Sequence, residues 1–181
     1  MMNPYIQEIE TEFKLALQER DHPLKFCVLA TEGLNNAPQS RLIVLREMTS
    51  DFKFTFFTDE RSGKVAQIKN NPKVCLLFYH PIKKIQLKVE GIAAIVEDKG
   101  ILEKKWSSLS TVSQKNYTTD QAPGSKLVEN KDIEYLKNKN YFCILEVQAQ
   151  VVEYLKLREV NHFKVQFHKD INGWVSEFLV P

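Results

Sequence analysis

Apolar residues recur along this chain in two rhythms. Ile6, Ile9, Phe13 and Ala16-Leu17 follow helical spacing behind Asn3-Pro4, a good helix start, so an amphipathic helix is predicted over about 4–19. Its apolar stripe reads as core packing, and Asp21-His22-Pro23 ends it. From residue 26 the rhythm changes to short apolar runs and period-two alternation broken by turn residues. Residues 26–31 read as a buried strand and 32–36 as a turn. Pro38 starts a second strand, with Arg41, Ile43 and Leu45 on one face and Leu42, Val44 and Arg46 on the other. Phe52, Phe54 and Phe56 share one face of a third strand. Val65 and Ile68 mark a short helix after Ser62, stopped by Asn70-Asn71-Pro72. Strands follow over 74–79 and 85–96, the second with Ile85, Leu87 and Val89 on one side and Gln86, Lys88 and Glu90 on the other. A helix is predicted over 98–109, an aperiodic loop over 110–124, and a weaker helix around 132–137. Strands over 141–157, 161–167 and 174–180 complete the chain.

This succession of six or seven strands, with two intervening helices and one in front, predicts a mainly β fold. It suits a closed or nearly closed barrel with flanking helices, and strand order alone also permits an open α+β sheet. A length of 181 residues supports one sizeable core, so a single domain over 1–181 is expected.

Composition removes several classes of function. The formal net charge of +2 offers no nucleic-acid footprint. No apolar run approaches the roughly 20 residues of a membrane-spanning helix, and the first residues lack a charged leader followed by an apolar core. A cytoplasmic protein is expected. Cys27, Cys75 and Cys143 each lie inside an apolar strand-like run, where a thiol behaves as a small hydrophobe. Their number and spacing suit neither a disulfide framework nor a zinc site. His22, His80, His162 and His168 form no metal-ligand pattern, and Trp106 and Trp174 read as core or interface residues.

Candidate chemistry concentrates between residues 40 and 72. Arg41 and Arg46 bracket one apolar run, and Arg61, Ser62 and Lys64 stand at the mouth of the short helix. A helix mouth presents unpaired N–H groups and a partial positive charge, which suits a phosphate. Arginine adds a fork that matches phosphate oxygens, lysine a point charge and serine a small donor. By themselves these residues also fit a solvated basic turn.

Four separate pieces then agree in order and spacing: Arg41-Leu-Ile-Val-Leu-Arg46, Phe56-Phe-Thr-Asp-Glu-Arg-Ser-Gly-Lys64, Asn70-Asn-Pro72, and Gln86 before Glu90-Gly91. Together they resemble the pyridoxamine 5'-phosphate oxidase superfamily of FMN-binding split barrels, with similarity running from about residue 38 to 174. The resemblance implies an antiparallel split β-barrel and FMN as cofactor. Arg41, Arg46, Arg61, Ser62 and Lys64 would serve the phosphate end. The main chain of Leu42, Ile43 and Val44 and the Phe57-Thr58 pair would lie along the cofactor, with Gln86 near the flavin. It further implies a homodimer with FMN in the subunit interface, completed by Tyr154 and Lys164 of the second subunit, and a substrate-side role for His162. Lys164 matches an arginine of the oxidases proper, keeping the charge without the planar fork.

The function so implied is an FMN-dependent oxidoreductase of unknown substrate. A non-catalytic flavin-binding or redox-sensing protein is the alternative, and a barrel without cofactor a third. Two departures speak against efficient pyridoxamine 5'-phosphate oxidation. The loop over 106–114 contains no arginine or lysine, and Val160 stands where those oxidases place an arginine two residues before the histidine matching His162.

Overall fold

A computed structural model describes residues 3–127, 133–171 and 173–181. Helix α1 (Pro4–Gln18) begins as its sequence predicts: the Asn3 side chain accepts the Tyr5 N–H at 3.0 Å, and Pro4 occupies the first turn. Its stripe of Ile6, Ile9, Phe13 and Ala16 is buried in the main core. Phe13 meets Phe54 and Phe78 edge-on, at ring-centroid separations of 5.2 and 5.0 Å.

After a single 3-10 turn (Pro23–Lys25) come β1 (Phe26–Glu32), β2 (Pro38–Met48), β3 (Lys53–Asp59), α2 (Gly63–Asn70), β4 (Lys73–His80) and β5 (Ile85–Ile95). Then follow α3 (Lys99–Ser108), α4 (Thr111–Lys115), β6 (Phe142–Lys156), β7 (Phe163–Asp170) and β8 (Gly173–Leu179). The antiparallel sheet runs β3-β2-β1-β4-β5-β6-β7-β8, and β3 also pairs with β6, from Lys53 opposite Gln148 to Asp59 opposite Phe142. That pairing closes six strands into a barrel and rules out the open sheet. Eight strands form in place of six or seven: six close the barrel, and those predicted over 161–167 and 174–180 form β7 and β8, which continue outward from β6 beyond the closed part.

The predicted alternation holds where it positions the site. Ile85, Leu87 and Val89 of β5 are buried, Gln86 and Lys88 half-buried, and Glu90 exposed. At Glu90/Gly91 the register with β6 shifts, and a Cβ on Gly91 would run into the carbonyl oxygen of Gln148. Gly91→Ala is therefore expected to destabilise the fold by about 1–3 kcal/mol, the usual cost of overpacking. A lower urea midpoint with unchanged slope would register this, and an unchanged midpoint would contradict it.

Two segments depart from their sequence pattern. Within 110–124, Ser110 caps the five-residue helix α4, too short to show periodicity. Residues 133–137 are not helical: Tyr135 bridges to Thr119, while Asp132 lies outside the described residues. Trp106, Tyr117, Phe142, Ile144 and Phe57 form a second small apolar cluster. Trp174 packs edge-on against Phe52 at 5.3 Å.

All three cysteines are unpaired. Burial pushes the Cys143 thiol up to about 11 and raises Cys27 and Cys75 as well, so all three stay protonated at neutral pH. No helix among the described residues is long and apolar enough to cross a membrane.

Candidate functional site

Where β1, β2 and β3 meet α2, the structure gathers two cations without a counter-ion. Arg41 lies opposite Leu29 of β1, and its guanidinium donates to Thr31 Oγ1 at 2.6 Å, Gln67 Oε1 at 2.9 Å and the Leu29 carbonyl at 3.3 Å. Lys64 Nζ donates to Thr58 Oγ1 at 2.9 Å and Ser62 Oγ at 3.2 Å. Thr31, Thr58 and Ser62 are all buried. Among the described residues neither cation forms an ion pair. Burial, and then repulsion from Arg41, lowers the Lys64 pKa, and burial lowers that of Arg41. Asp59 offsets part of this for Lys64. Two desolvated positive groups facing one another are stabilised by an anion.

The mouth of α2 adds to the same place. Ser62 is its N-cap residue, yet the hydroxyl makes no capping bond, being engaged with Lys64 and Thr58. The Val65 amide donates to the Ser62 carbonyl at 2.9 Å, so it is the Gly63 and Lys64 amides of the first turn that keep their capacity for an acceptor. Thr31 and Gln67 were not singled out by sequence. Gln67 follows Lys64 by three positions, which puts both on one helix face, and that spacing was the available signal.

Arg61 and Arg46 do not join this cluster. Arg61 is held by Asp59 through Nε–Oδ1 at 3.0 Å and Nη2–Oδ2 at 2.7 Å. It also donates to the Thr119 and Asp120 carbonyls, each at 3.0 Å, and its guanidinium lies 3.3 Å from the Tyr141 ring centroid. Its fork fastens the segment around Thr119 to the β3–α2 turn, so Arg61 stands apart from the Arg41–Lys64 corner with its donors engaged. Arg46 is exposed, on the other face of β2, 5.5 Å from the half-buried Phe57 ring.

The remaining residues divide between the barrel's outside, its core and a turn. Leu42 is 71% exposed and Val44 half-buried on the outward face of β2, whereas Ile43 pairs with buried Cys27 on the inward one. Gln86 stands outward between Tyr79 of β4 and Leu155 of β6. Lys164 on β7 pairs with buried Glu153 at 3.4 Å, which Lys88 also approaches at 3.8 Å. Tyr154 is enclosed in this chain's own core against Tyr5 and Phe163, with 1% of its surface exposed. A contact between its side chain and a second subunit, the role the resemblance implies, would require this packing to open. His162 is exposed between β6 and β7, its Nδ1 accepting the Arg158 N–H at 3.2 Å.

A six-strand antiparallel barrel with two further strands and flanking helices, carrying a cationic, hydroxyl-lined corner at a helix mouth, defines a split-barrel protein. Residues 13–155 match the family model described as pyridoxamine 5'-phosphate oxidase, and the chain belongs to that family. A pyridoxine/pyridoxamine 5'-phosphate oxidase of Cupriavidus metallidurans is 36% identical over 93 residues, 51% of this chain and 43% of that protein. Its counterpart in Anaplasma phagocytophilum is 30% identical over 171 residues, 85% of this chain and 81% of that one. The crystal structure of a pyridoxamine 5'-phosphate oxidase-related, FMN binding protein of Nostoc punctiforme superposes with a TM-score of 0.81 at 21% identity, over 100% of both chains.

Proposed function

We propose that this protein is a cytoplasmic, homodimeric FMN-dependent oxidoreductase. The observation that carries the reading is the Arg41–Lys64 pair, neither in an ion pair among the described residues, beside Thr58, Ser62 and the Gly63 and Lys64 amides at the mouth of α2. A phosphate supplies the negative charge and the acceptor oxygens that this corner lacks, so the residues present fit the 5'-phosphate of FMN. Bound flavin would supply the capacity to accept a hydride or electrons. The chain's own residues hold and orient it. Arg41, Lys64, Ser62 and Thr58 bind the phosphate, and the main chain of Leu42, Ile43 and Val44 runs beside the ribityl chain. Arg46 and Phe57 border the site, Gln86 addresses the ring, Lys164 comes from the second subunit, and His162 lies toward the substrate.

The absorbance spectrum of freshly purified protein tests this. Bound oxidised flavin, bleached by a specific reductant, is the expected result; a colourless protein that takes up no added FMN would remove the reading. A non-catalytic flavin-binding protein is the second reading, favoured by one observation: the side chains that Arg41 and Lys64 bond are hydroxyls and an amide, groups that hold a phosphate and do not titrate near neutral pH. Flavin that binds yet resists bleaching by every reductant offered would select it.

Dimerisation rests on the outward face of β2, β1, β4 and β5. There Phe26, Leu42, Leu77 and Tyr79 are exposed on adjacent strands, linked in register through Val28, Val44 and Gln86. Contiguous apolar surface of this kind marks an interface. An obligate one commonly buries about 2,000 Å² or more, so dissociation without unfolding is expected to be difficult. Light scattering on flavin-loaded protein should report a dimer at all accessible concentrations. A monomer there would overturn the proposal.

A further inference from the structure

We propose that Glu12, His22 and His80 form an acid-sensitive latch fastening α1 to the barrel, closed while both imidazoles are neutral and opened when His80 takes up a proton. The three residues come from α1, the turn after it and the last position of β4, and all are buried, Glu12 being 5% exposed. Glu12 Oε2 lies 3.7 Å from His22 Nε2 and 3.9 Å from His80 Nε2, and has no hydrogen-bond partner within ordinary range. Its other oxygen is held by Lys83 of the β4–β5 turn.

The protons on the two rings follow from their opposite nitrogens. His22 Nδ1 accepts the Leu24 N–H at 3.2 Å, and His80 Nδ1 accepts the Lys83 N–H at 3.3 Å. A nitrogen that accepts carries no proton, so each neutral ring is protonated at Nε2, the atom that faces Glu12. Two N–H groups and one ammonium thus converge on one buried carboxylate, joining α1 to the turn before β1, the end of β4 and the β4–β5 turn.

The same tautomers oppose a metal ion, although the three residues are of ligand type and their ligand atoms lie within 4.8 Å of one another. A divalent ion would need both Nε2 lone pairs, which moves each ring proton to Nδ1, against the Leu24 and Lys83 N–H groups. It would also place two positive charges beside Lys83 with a single carboxylate to offset them.

Acid acts through His80. Its protonated ring carries hydrogen at Nδ1, turning the bond from the Lys83 N–H into a donor facing a donor. The new charge also lies beside Lys83 and His22, with Glu12 alone to compensate. A cavity of about 670 Å³ admits water to both rings, its rim carrying Glu19, Arg20, Asp21 and Lys83. Burial pulls the His80 pKa below its ordinary value of 6.5, more than Glu12 restores. The folded chain therefore binds fewer protons than the unfolded one just below that value. Stability is complete above pH 6.5 and declines as the pH falls, the unfolding constant rising by up to about tenfold per pH unit for one proton. What is released is the α1 stripe of Ile6, Ile9, Phe13 and Ala16.

Urea unfolding of the full chain between pH 7.5 and 5, at one protein concentration, compares wild type with His80→Asn. Asparagine in this turn keeps an oxygen for the Lys83 N–H and does not titrate. The wild-type unfolding constant should climb more steeply below pH 6.5 than that of the variant; equal slopes would overturn the latch. Should the variant fail to fold, nitrogen NMR of the wild-type imidazoles at pH 7.5 decides. Nε2–H on both rings supports the latch, and Nδ1–H or a charged ring refutes it. Zinc titrated into wild-type protein at neutral pH should leave the melting temperature unchanged. A rise that His80→Asn abolishes would replace the latch with a metal site.

Discussion

Replacing Arg41 and Lys64 together by alanine is expected to weaken FMN binding by about two to four orders of magnitude while leaving riboflavin within a few-fold. Each residue would give the phosphate a charge-assisted hydrogen bond of roughly 1.5–3 kcal/mol, and each 1.4 kcal/mol is about tenfold in affinity. Riboflavin has the same ring and ribityl chain without the phosphate, so it controls for loss of the barrel or of the ring contacts. Fluorescence titration with both ligands makes the measurement. Equal losses for the two would place the phosphate elsewhere. Arg61→Ala should behave differently. Its guanidinium serves Asp59 and the Thr119 and Asp120 carbonyls, so the expected result is a looser segment around Thr119.

The second large effect concerns substrate. FMN-loaded protein is expected to oxidise pyridoxamine 5'-phosphate with a kcat/KM below about 10⁴ M⁻¹s⁻¹, the lower edge of ordinary enzymes. Relative to the oxidases it resembles, the chain lacks an arginine in the segment over 106–114 and has Val160 in place of another. Two lost charge-assisted contacts to one substrate phosphate correspond to about two to four orders of magnitude in productive binding. Of the three cations that could compensate, Lys126 is exposed and the other two face aromatic rings. Lys115 sits 4.2 Å from the Tyr135 ring and Arg158 5.5 Å from the Phe163 ring, while Val160 is 75% exposed with nothing polar to offer. Steady-state peroxide release with pyridoxamine 5'-phosphate checks the expectation. A value at or above that threshold would restore the vitamin B6 assignment.

Much of the fold was legible in the chain because its signals are local. The stripe of α1, the shared face of Phe54 and Phe56, and the alternation along β5 each follow from the repeat of one element burying one side. The Lys64 end of the cationic corner was legible for the same reason, since a helix mouth and its flanking hydroxyls are neighbours in sequence. Closure was not, because β3 and β6 pair across a long intervening chain, and nothing in either strand names its partner. Nor could sequence tell a spent charge from an available one. Arg41 and Arg61 are equally basic, but Asp59 lies two residues from Arg61 and the folded segment at Thr119 takes its remaining donors. Tyr154 has the residue type for a flavin contact, and only the fold shows that it points inward against Tyr5. Glu12, His22 and His80 carried no pattern at all. They become one group because α1 folds back over β4, and only tertiary packing brings ligand atoms from such distant residues within 4.8 Å of one another in a buried setting.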